Sequence, residues 1–300
     1  MHQEEAKLNL YSKMFLIRSF EKRLFDLFKK GKLFGTTHGC IGQEAVAVSV
    51  VSTLPKDTIY FSNHRCHGHF LAYSDRPDLL LAELMGKKGG VCAGRGGSQH
   101  LCYKDFFTNG VQGGIVPVAT GIALAEKLKK SGRTVCVFIG DGTLGQGVVY
   151  ESMNMASLWS LPILFVLENN QYAMSTFVRN AVAGSITARA EAFGIRSWDI
   201  VTSDVFAMCQ TVQKACDYIA EEPRPGFLAF ETYRFCGHSK SDECHYRTAA
   251  EVQTWAEKDA FEILQTSIKD KGKRELIEQQ CLNRLEEVVR EVEAMPFADV

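Results

Sequence analysis

The chain has 300 residues, 46% of them hydrophobic and 23% charged, with a net charge of −1. That length can bury a substantial core, and the composition is ordinary for a soluble globular protein. A charge so near zero removes any broad attraction to nucleic acid or to anionic membranes. The opening Met1-His2-Gln3-Glu4-Glu5-Ala6-Lys7 lacks a signal-peptide core. The longest apolar stretch, about 161–167, is far short of the roughly 20 residues that a membrane helix needs. Ten cysteines are scattered from Cys40 to Cys281 without a C-x-x-C pair, so reduced thiols in a cytoplasmic protein are expected. A mitochondrial matrix location is also compatible if a transit peptide has been removed.

Between residues 5 and 30, Leu10, Met14, Ile17, Phe20, Leu24, Leu27 and Phe28 recur at helical spacing, and Gly31 and Gly35 end that helix. A second helix is predicted over 43–53, before Pro55. The stretch 87–114 is glycine-rich and aperiodic, and reads as loop. Helix and strand then alternate: helix 118–130, strand 134–139, helix 149–160, strand 162–167, helix 205–221 and strand 227–233. Strands apolar throughout, alternating with helices, predict a parallel sheet covered on both faces. From 251 to 293 the chain reads as charged amphipathic helices, with no strand left to add. The expectation is one α/β domain over residues 1–300, with a helical segment at about 1–55 and a helical tail at about 250–300.

In an open parallel sheet, ligands bind at the carboxyl ends of the strands. Gly140-Asp141-Gly142 follows the 134–139 strand, and Asn169-Asn170 follows the 162–167 strand. A right-handed crossover makes such strands neighbours or near neighbours, which brings Asp141 to Asn170. One carboxylate and one amide carbonyl make a poor transition-metal site but suit Mg²⁺, which completes its octahedron with phosphate and water. Gly142 admits close backbone approach to a phosphate, and the next helix N-terminus offers free N–H groups. The helix-end effect is worth about 0.3–2 kcal/mol and a metal bridge several, so the metal should dominate anchoring. Either motif alone is an ordinary turn; their combination on these elements points to a ligand.

Three histidines in His64-Arg65-Cys66-His67-Gly68-His69 invite a zinc reading, but no cysteine or carboxylate pair stands at ligand spacing. A forked guanidinium beside imidazoles better suits a diphosphate. His238 lies beyond the 227–233 strand, beside Arg234 and Ser239, where a histidine can move protons or hold developing charge. No G-x-G-x-x-G follows an early strand and no P-loop is present, which argues against a plain nucleotide-binding domain.

Gly140-Asp141-Gly142 with Asn169-Asn170 resembles the thiamin diphosphate motif of thiamin-dependent enzymes. The chain is similar to the α subunit of the decarboxylating component of 2-oxo acid dehydrogenases, of the pyruvate and acetoin dehydrogenase type. Matching stretches include Gly35-Thr36-Thr37-His38, Gly42-Gln43-Glu44-Ala45, the run from His64 to His69 and Gly94-Arg95-Gly96-Gly97-Ser98. Asn154-Met155-Ala156, residues 168–172 and Tyr233-Arg234-Phe235-Cys236-Gly237-His238-Ser239 extend the match. The resemblance implies the diphosphate-type thiamin-binding fold. It implies that Asp141 and Asn170 give side-chain oxygens to Mg²⁺, and Tyr172 its backbone carbonyl. His64, Arg65, Gly142, Thr143, Arg234 and His238 would contact the cofactor, with Gly110 and Gln112 in the loop that carries its aminopyrimidine. His38, His67 and His238 are the implied catalytic histidines, His38 touching the 2-oxo acid. The first position of the His64-Arg65 pair often carries an aromatic hydroxyl in that family and sometimes His. Three departures bear on substrate identity more than on cofactor binding. Cys236 stands where His is usual, Gln112 where a small aliphatic residue is usual, and Gln99 where Met is usual.

Thiamin catalysis also needs a carboxylate that protonates the aminopyrimidine, carried on a second α/β domain. With only helices expected after residue 250, the resemblance implies that this half comes from a β subunit, in an α₂β₂ heterotetramer. The implied activity is decarboxylation of a 2-oxo acid, or cleavage of acetoin, with the acyl unit passed to a lipoyl group on an acyltransferase. Two alternatives stay open: a thiamin-dependent acyl or acyloin transferase (a carboligase) without a lipoyl carrier, and a non-catalytic structural subunit.

Overall fold

Three runs of Val, Ile, Leu and Phe too continuous for a surface element form the centre of a sheet. The computed structural model describes residues 2–33 and 35–299. The first half holds α1 (His2–Lys29), α2 (Glu44–Thr53), β1 (Ile59–Ser62), α3 (His67–Ser74), α4 (Pro77–Leu84), β2 (Cys102–Tyr103), β3 (Phe106–Thr108) and α5 (Ile115–Lys129). Next come β4 (Val135–Gly140), a 3₁₀ turn (Asp141–Gly145), α6 (Gly147–Leu158), β5 (Ile163–Asn169), β6 (Tyr172–Ala173), β7 (Thr176–Phe177), α7 (Val178–Ala181) and α8 (Thr187–Glu191). The chain ends with β8 (Arg196–Ile200), α9 (Val205–Glu221), β9 (Gly226–Glu231), α10 (Ala249–Ala256), α11 (Ala260–Ser267) and α12 (Lys271–Ala294).

Seven strands form one sheet in the order β2-β3-β1-β4-β5-β9-β8. Every neighbouring pair is parallel except β2 with β3. Successive side chains on a strand point to opposite faces, and both faces are buried. Cys136, Phe138, Leu164, Val166, Leu228 and Phe230 pack on one side with α1, α2, α3 and α9. Val135, Val137, Ile139, Ile163, Phe165 and Leu167 pack on the other with α5 and α6. The predicted parallel α/β sheet is borne out. Strands β1, β2, β3 and β8 were not expected. Three of them run for four residues or fewer, and β8 is an edge strand whose Arg-Ser-Trp-Asp-Ile sequence buries only its last residue, so none has an apolar run long enough to announce it. Among the described residues no strand follows β9, in line with the expected helical tail. No described helix is long and apolar enough to cross a membrane, and all ten cysteines are free thiols.

Two loops far apart in sequence are laced together over the carboxyl edge of this sheet. Phe235 N–H donates to the Ile41 carbonyl at 3.0 Å, the Thr232 hydroxyl to the Gly42 carbonyl at 3.0 Å, and Lys240 N–H to the Thr37 carbonyl at 3.1 Å. Gly42 has φ of 100°, and a Cβ there would lie 2.1 Å from the Tyr233 carbonyl oxygen. Behind the lacing, buried Glu44 accepts the Gly42 N–H at 2.9 Å and pairs with Arg18, which also holds Asp259 at 3.0 Å. Glu251 of α10 accepts the hydroxyls of Tyr172 at 2.9 Å and Tyr233 at 2.8 Å, and Trp255 stacks on Tyr233 with ring centroids 5.1 Å apart. Glu83 organises the glycine-rich stretch by accepting backbone N–H groups from Cys92, Gly94, Gly96 and Gly97. Gly42→Ala combines a positive φ with a backbone clash, so it should cost about 2–4 kcal/mol. Denaturant titration should show the lowered midpoint, and an unchanged midpoint would mean that the two loops are not held at Gly42.

Candidate active site

The register Gly140↔Glu168 aligns β4 with β5, so Asp141 and Asn170 leave adjacent strands at the same edge of the sheet. The Gly-Asp-Gly turn packs directly on β6: a Cβ at Gly142 would lie 2.6 Å from Cβ of Ala173. Between them Gln171 takes φ of 76°, a conformation that costs energy for a residue with a side chain and clusters at functional sites. Asn170 Nδ2 donates to Gln43 Oε1 at 3.4 Å, and its Oδ1 accepts the Tyr172 N–H at 3.3 Å. Asp141 thus stands on a turn that packs against the loop carrying Asn170 and Tyr172, at one edge of the sheet.

Asp141 is buried, and its Oδ2 has no hydrogen-bond partner among the described residues. Burial pushes its pKa up to about 6, only partly offset by the N–H groups of Gly142 and Asp141 and by the charges of Arg234 and Arg65. An unsatisfied buried carboxylate oxygen is costly and calls for a cation or a proton.

The opposite sign is equally unsatisfied. Arg234 is fully buried, and its Nη2 donates to the Met174 carbonyl at 3.0 Å and the Tyr246 hydroxyl at 3.1 Å. Its Nε and Nη1 have no partner among the described residues. Arg65 is buried beside it, donating to the carbonyls of Gly39 and His238; burial and the Arg234 charge both lower its pKa. Two buried guanidiniums without a carboxylate salt bridge among the described residues form a field that attracts an anion.

Three imidazoles meet above them. The His38 and His64 ring centroids are 4.6 Å apart, His38 and His238 4.9 Å, and His64 and His238 5.5 Å. Burial first, and the arginine charges next, lower His38 to about 3, His64 to about 2 and His238 to about 4. At neutral pH the cluster is uncharged. Its ring nitrogens lie within 4.8 Å of one another, close enough to gather round a metal ion, but the flanking guanidiniums oppose a cation there. Neutral N–H donors and guanidiniums together suit an oxyanion.

Other expected residues fall in two groups. Gln112 accepts the Thr143 hydroxyl at Oε1 over 3.0 Å and donates to His64 Nδ1, so Thr143, Gln112 and His64 form one chain. Gly110 faces the Gln99 side chain, whose amide reaches His38 Nδ1 at 3.3 Å. His67, expected among the catalytic histidines, lies outside the cluster of His38, His64 and His238. It opens α3, is fully buried, and bonds Glu21 of α1 at 2.8 Å with its ring edge-on to Phe20. His69 stacks on Phe138 and bonds Ser62 at 2.9 Å; neither is placed for a zinc site with His64. Cys236 is directed at the Gly39 carbonyl at 3.2 Å, so the lost imidazole leaves a packing thiol.

Sequence reasoning missed Asp242 and Tyr246. Asp242 accepts the His238 N–H at 2.6 Å, the Tyr246 hydroxyl at 2.7 Å and the Cys244 N–H at 2.9 Å. Burial opposes its ionisation, but these bonds hold its pKa at about 2. It shapes the loop that carries His238, and Tyr246 links it to Arg234. The only sequence signal was a polar residue four places after His238.

The sign of Asp141's shift gives a test. Its folded pKa lies above the ordinary value of 3.8, so ionisation costs stability above pH 6 and the penalty vanishes below about pH 4. Asp141→Asn should stabilise the metal-free chain by about 1–3 kcal/mol at pH 8 and leave it unchanged near pH 4. Thermal melts at both pH values would read this; a destabilised variant at pH 8 would mean that Oδ2 already has a partner.

Comparison with known proteins agrees with this geometry. The family model described as dehydrogenase E1 component matches residues 12–300. The chain is 35% identical to the pyruvate dehydrogenase E1 component subunit alpha of Rickettsia bellii, over 99% of this chain and 92% of that one. The subunit of the same name from Zymomonas mobilis is 40% identical over 84% of this chain and 73% of its own. The alpha subunit of acetoin:2,6-dichlorophenolindophenol oxidoreductase from Bacillus subtilis is 35% identical over 98% of this chain and 91% of its own. By this match along nearly its whole length, the chain belongs to the dehydrogenase E1 component family.

Proposed function

We propose that the chain is the α subunit of a thiamin diphosphate- and Mg²⁺-dependent 2-oxo acid or acetoin dehydrogenase, working as one cofactor-binding domain over residues 1–300. The observation that carries this reading is the pair of unsatisfied buried charges, Asp141 Oδ2 and Arg234 Nε and Nη1, at the same sheet edge. A cation for the first and an anion for the second are what a magnesium diphosphate supplies. The residues fit the group. Asp141 and Asn170 offer oxygens of the hard type that Mg²⁺ prefers, with the Tyr172 carbonyl as the third protein ligand. Arg65, Arg234, His64, Gly142 and Thr143 would hold the diphosphate, and Gly110 and Gln112 border the aminopyrimidine loop.

When bound, thiamin diphosphate supplies the carbanion chemistry that breaks a bond next to a carbonyl. The chain's own residues do the rest. His38 and His238, kept neutral by burial and by Arg65, act as N–H donors to an oxygen that gains charge, not as imidazolium acids. His67 stands behind them as a buried support paired with Glu21. The loop from Arg234 to Arg247, pinned by Asp242, covers the site and excludes water.

A β subunit is the expected partner, in an α₂β₂ assembly. The chain's described strands make one such sheet, and the carboxylate for the aminopyrimidine needs another. In support, apolar side chains stand exposed beside the site and on the packed helices α5 and α6: Val111, Val118, Met155, Leu158 and Met174. Gly121 and Gly147 leave open space for a close neighbour. A lipoyl-bearing acyltransferase is the proposed acceptor, in the cytoplasm. The carboligase alternative drew on Cys236, and that thiol packs on Gly39; turnover with free lipoamide separates the two.

Arg234→Met, which keeps volume but removes two charged donors, should weaken Mg²⁺–thiamin diphosphate binding roughly 10²–10³-fold while leaving subunit assembly intact. Calorimetry on the assembled enzyme checks this, and unaltered affinity would remove Arg234 from the site. Because Asp141 protonates near pH 6 in the absence of metal, Mg²⁺ affinity should fall about tenfold per pH unit below 6. A flat profile between pH 5 and 7, measured by the same titration, would argue against Asp141 as ligand.

A further inference from the structure

We propose that Gln99 and Gln112 are positioning residues that fix the tautomers of His38 and His64, so that both rings turn an Nε2–H donor toward an oxyanion. The proposal rests on the diphosphate reading for the identity of that oxyanion, but the tautomers themselves belong to the chain alone. A neutral imidazole has one N–H and one lone pair, and whichever nitrogen accepts a bond leaves the proton on the other. Gln112 spans Thr143 and His64: the hydroxyl donates to its Oε1 at 3.0 Å, which leaves its Nε2 to donate to His64 Nδ1. The proton is thereby held on His64 Nε2, a buried nitrogen with no partner among the described residues. Gln99 does the same for His38, its Nε2 lying 3.3 Å from Nδ1.

The reverse tautomers would aim lone pairs into a site whose two guanidiniums call for an anion, and the anion and the lone pairs would repel. With the amides as they stand, the rings, 4.6 Å between centroids, extend the positive field of Arg65 and Arg234 without carrying charge. Two residues that do not reach the guanidiniums thus decide whether the histidines donate or accept. Gly110 belongs to the same device, because a Cβ there would lie 2.3 Å from Gln99 Oε1 and displace the amide.

Histidine ring correlations by ¹⁵N NMR on the full-length chain at pH 7.5 read the tautomers directly, the two rings being assigned with His38→Gln and His64→Gln. Both should appear as single Nε2–H forms. Gln112→Leu should turn His64 into a mixture while His38 is unchanged, and Gln99→Leu should do the reverse. Gln112→Glu, whose carboxylate only accepts, should draw the proton to His64 Nδ1. An Nδ1–H form in the unaltered chain, or a His64 signal indifferent to Gln112→Leu in a variant with normal circular dichroism, would overturn the proposal. Calorimetry with Mg²⁺–thiamin diphosphate on the assembled enzyme adds a second readout: Gln112→Leu should weaken binding about tenfold. His64→Tyr in that background should restore most of it, since a phenol has no tautomer to fix, and failure to restore it would count against the proposal. If the unaltered enzyme bound no thiamin diphosphate yet showed the stated tautomers and their shifts, the functional reading would fall and the positioning roles would stand.

Discussion

Everything at the carboxyl edge of the sheet follows from two buried charges of opposite sign that the protein does not neutralise. Among the described residues Asp141 keeps one oxygen and Arg234 two nitrogens without partners, and both side chains are buried. Each such group costs on the order of 1–3 kcal/mol or more, and a chain selected for stability alone would pair them or replace them. They are held apart on neighbouring loops, with Arg65 adding a second positive charge. A ligand that carries a cation and an anion in one unit resolves both deficits together.

Keeping those charges apart requires stiff loops, and buried or half-buried carboxylates provide the stiffness. Glu44 joins Arg18 and the Gly42 turn; Glu83 gathers the glycine-rich stretch; Asp242 closes the loop around His238; Glu251 ties the Tyr172 hairpin to the Tyr233 strand end. Each accepts two or more hydrogen bonds, so each ties together backbone or side-chain groups that are not adjacent in sequence. Above this frame the imidazoles of His38, His64 and His238 remain neutral, so their contribution is direction rather than charge.

How much of this was legible beforehand depended on where the signal sits. Strands β4, β5 and β9 are buried on both faces and showed as unbroken apolar runs, and the sheet-edge rule then placed Asp141 beside Asn170. Edge strand β8 and the short β1 left no such mark. Arg234 was identified, but its tie to Met174, 60 residues earlier, is a contact between loops that no periodicity encodes. His67 was grouped with the site histidines, but helix α3 begins at that residue and its ring bonds Glu21 of α1, while His64 stays with the cluster. Gln99 read only as a departure from a family pattern and Gln112 as a departure within the aminopyrimidine loop; the structure sets each amide against a histidine Nδ1.

The central claim is that Asp141 and Arg234 are left unpaired for a metal diphosphate. Paramagnetic resonance of Mn²⁺, used in place of Mg²⁺ and titrated into the assembled enzyme with and without thiamin diphosphate, addresses it most directly. The account requires one tight Mn²⁺ site per chain that forms only with the diphosphate present and disappears in Asp141→Asn. Tight Mn²⁺ binding that ignores the diphosphate, or that survives Asp141→Asn, would contradict it.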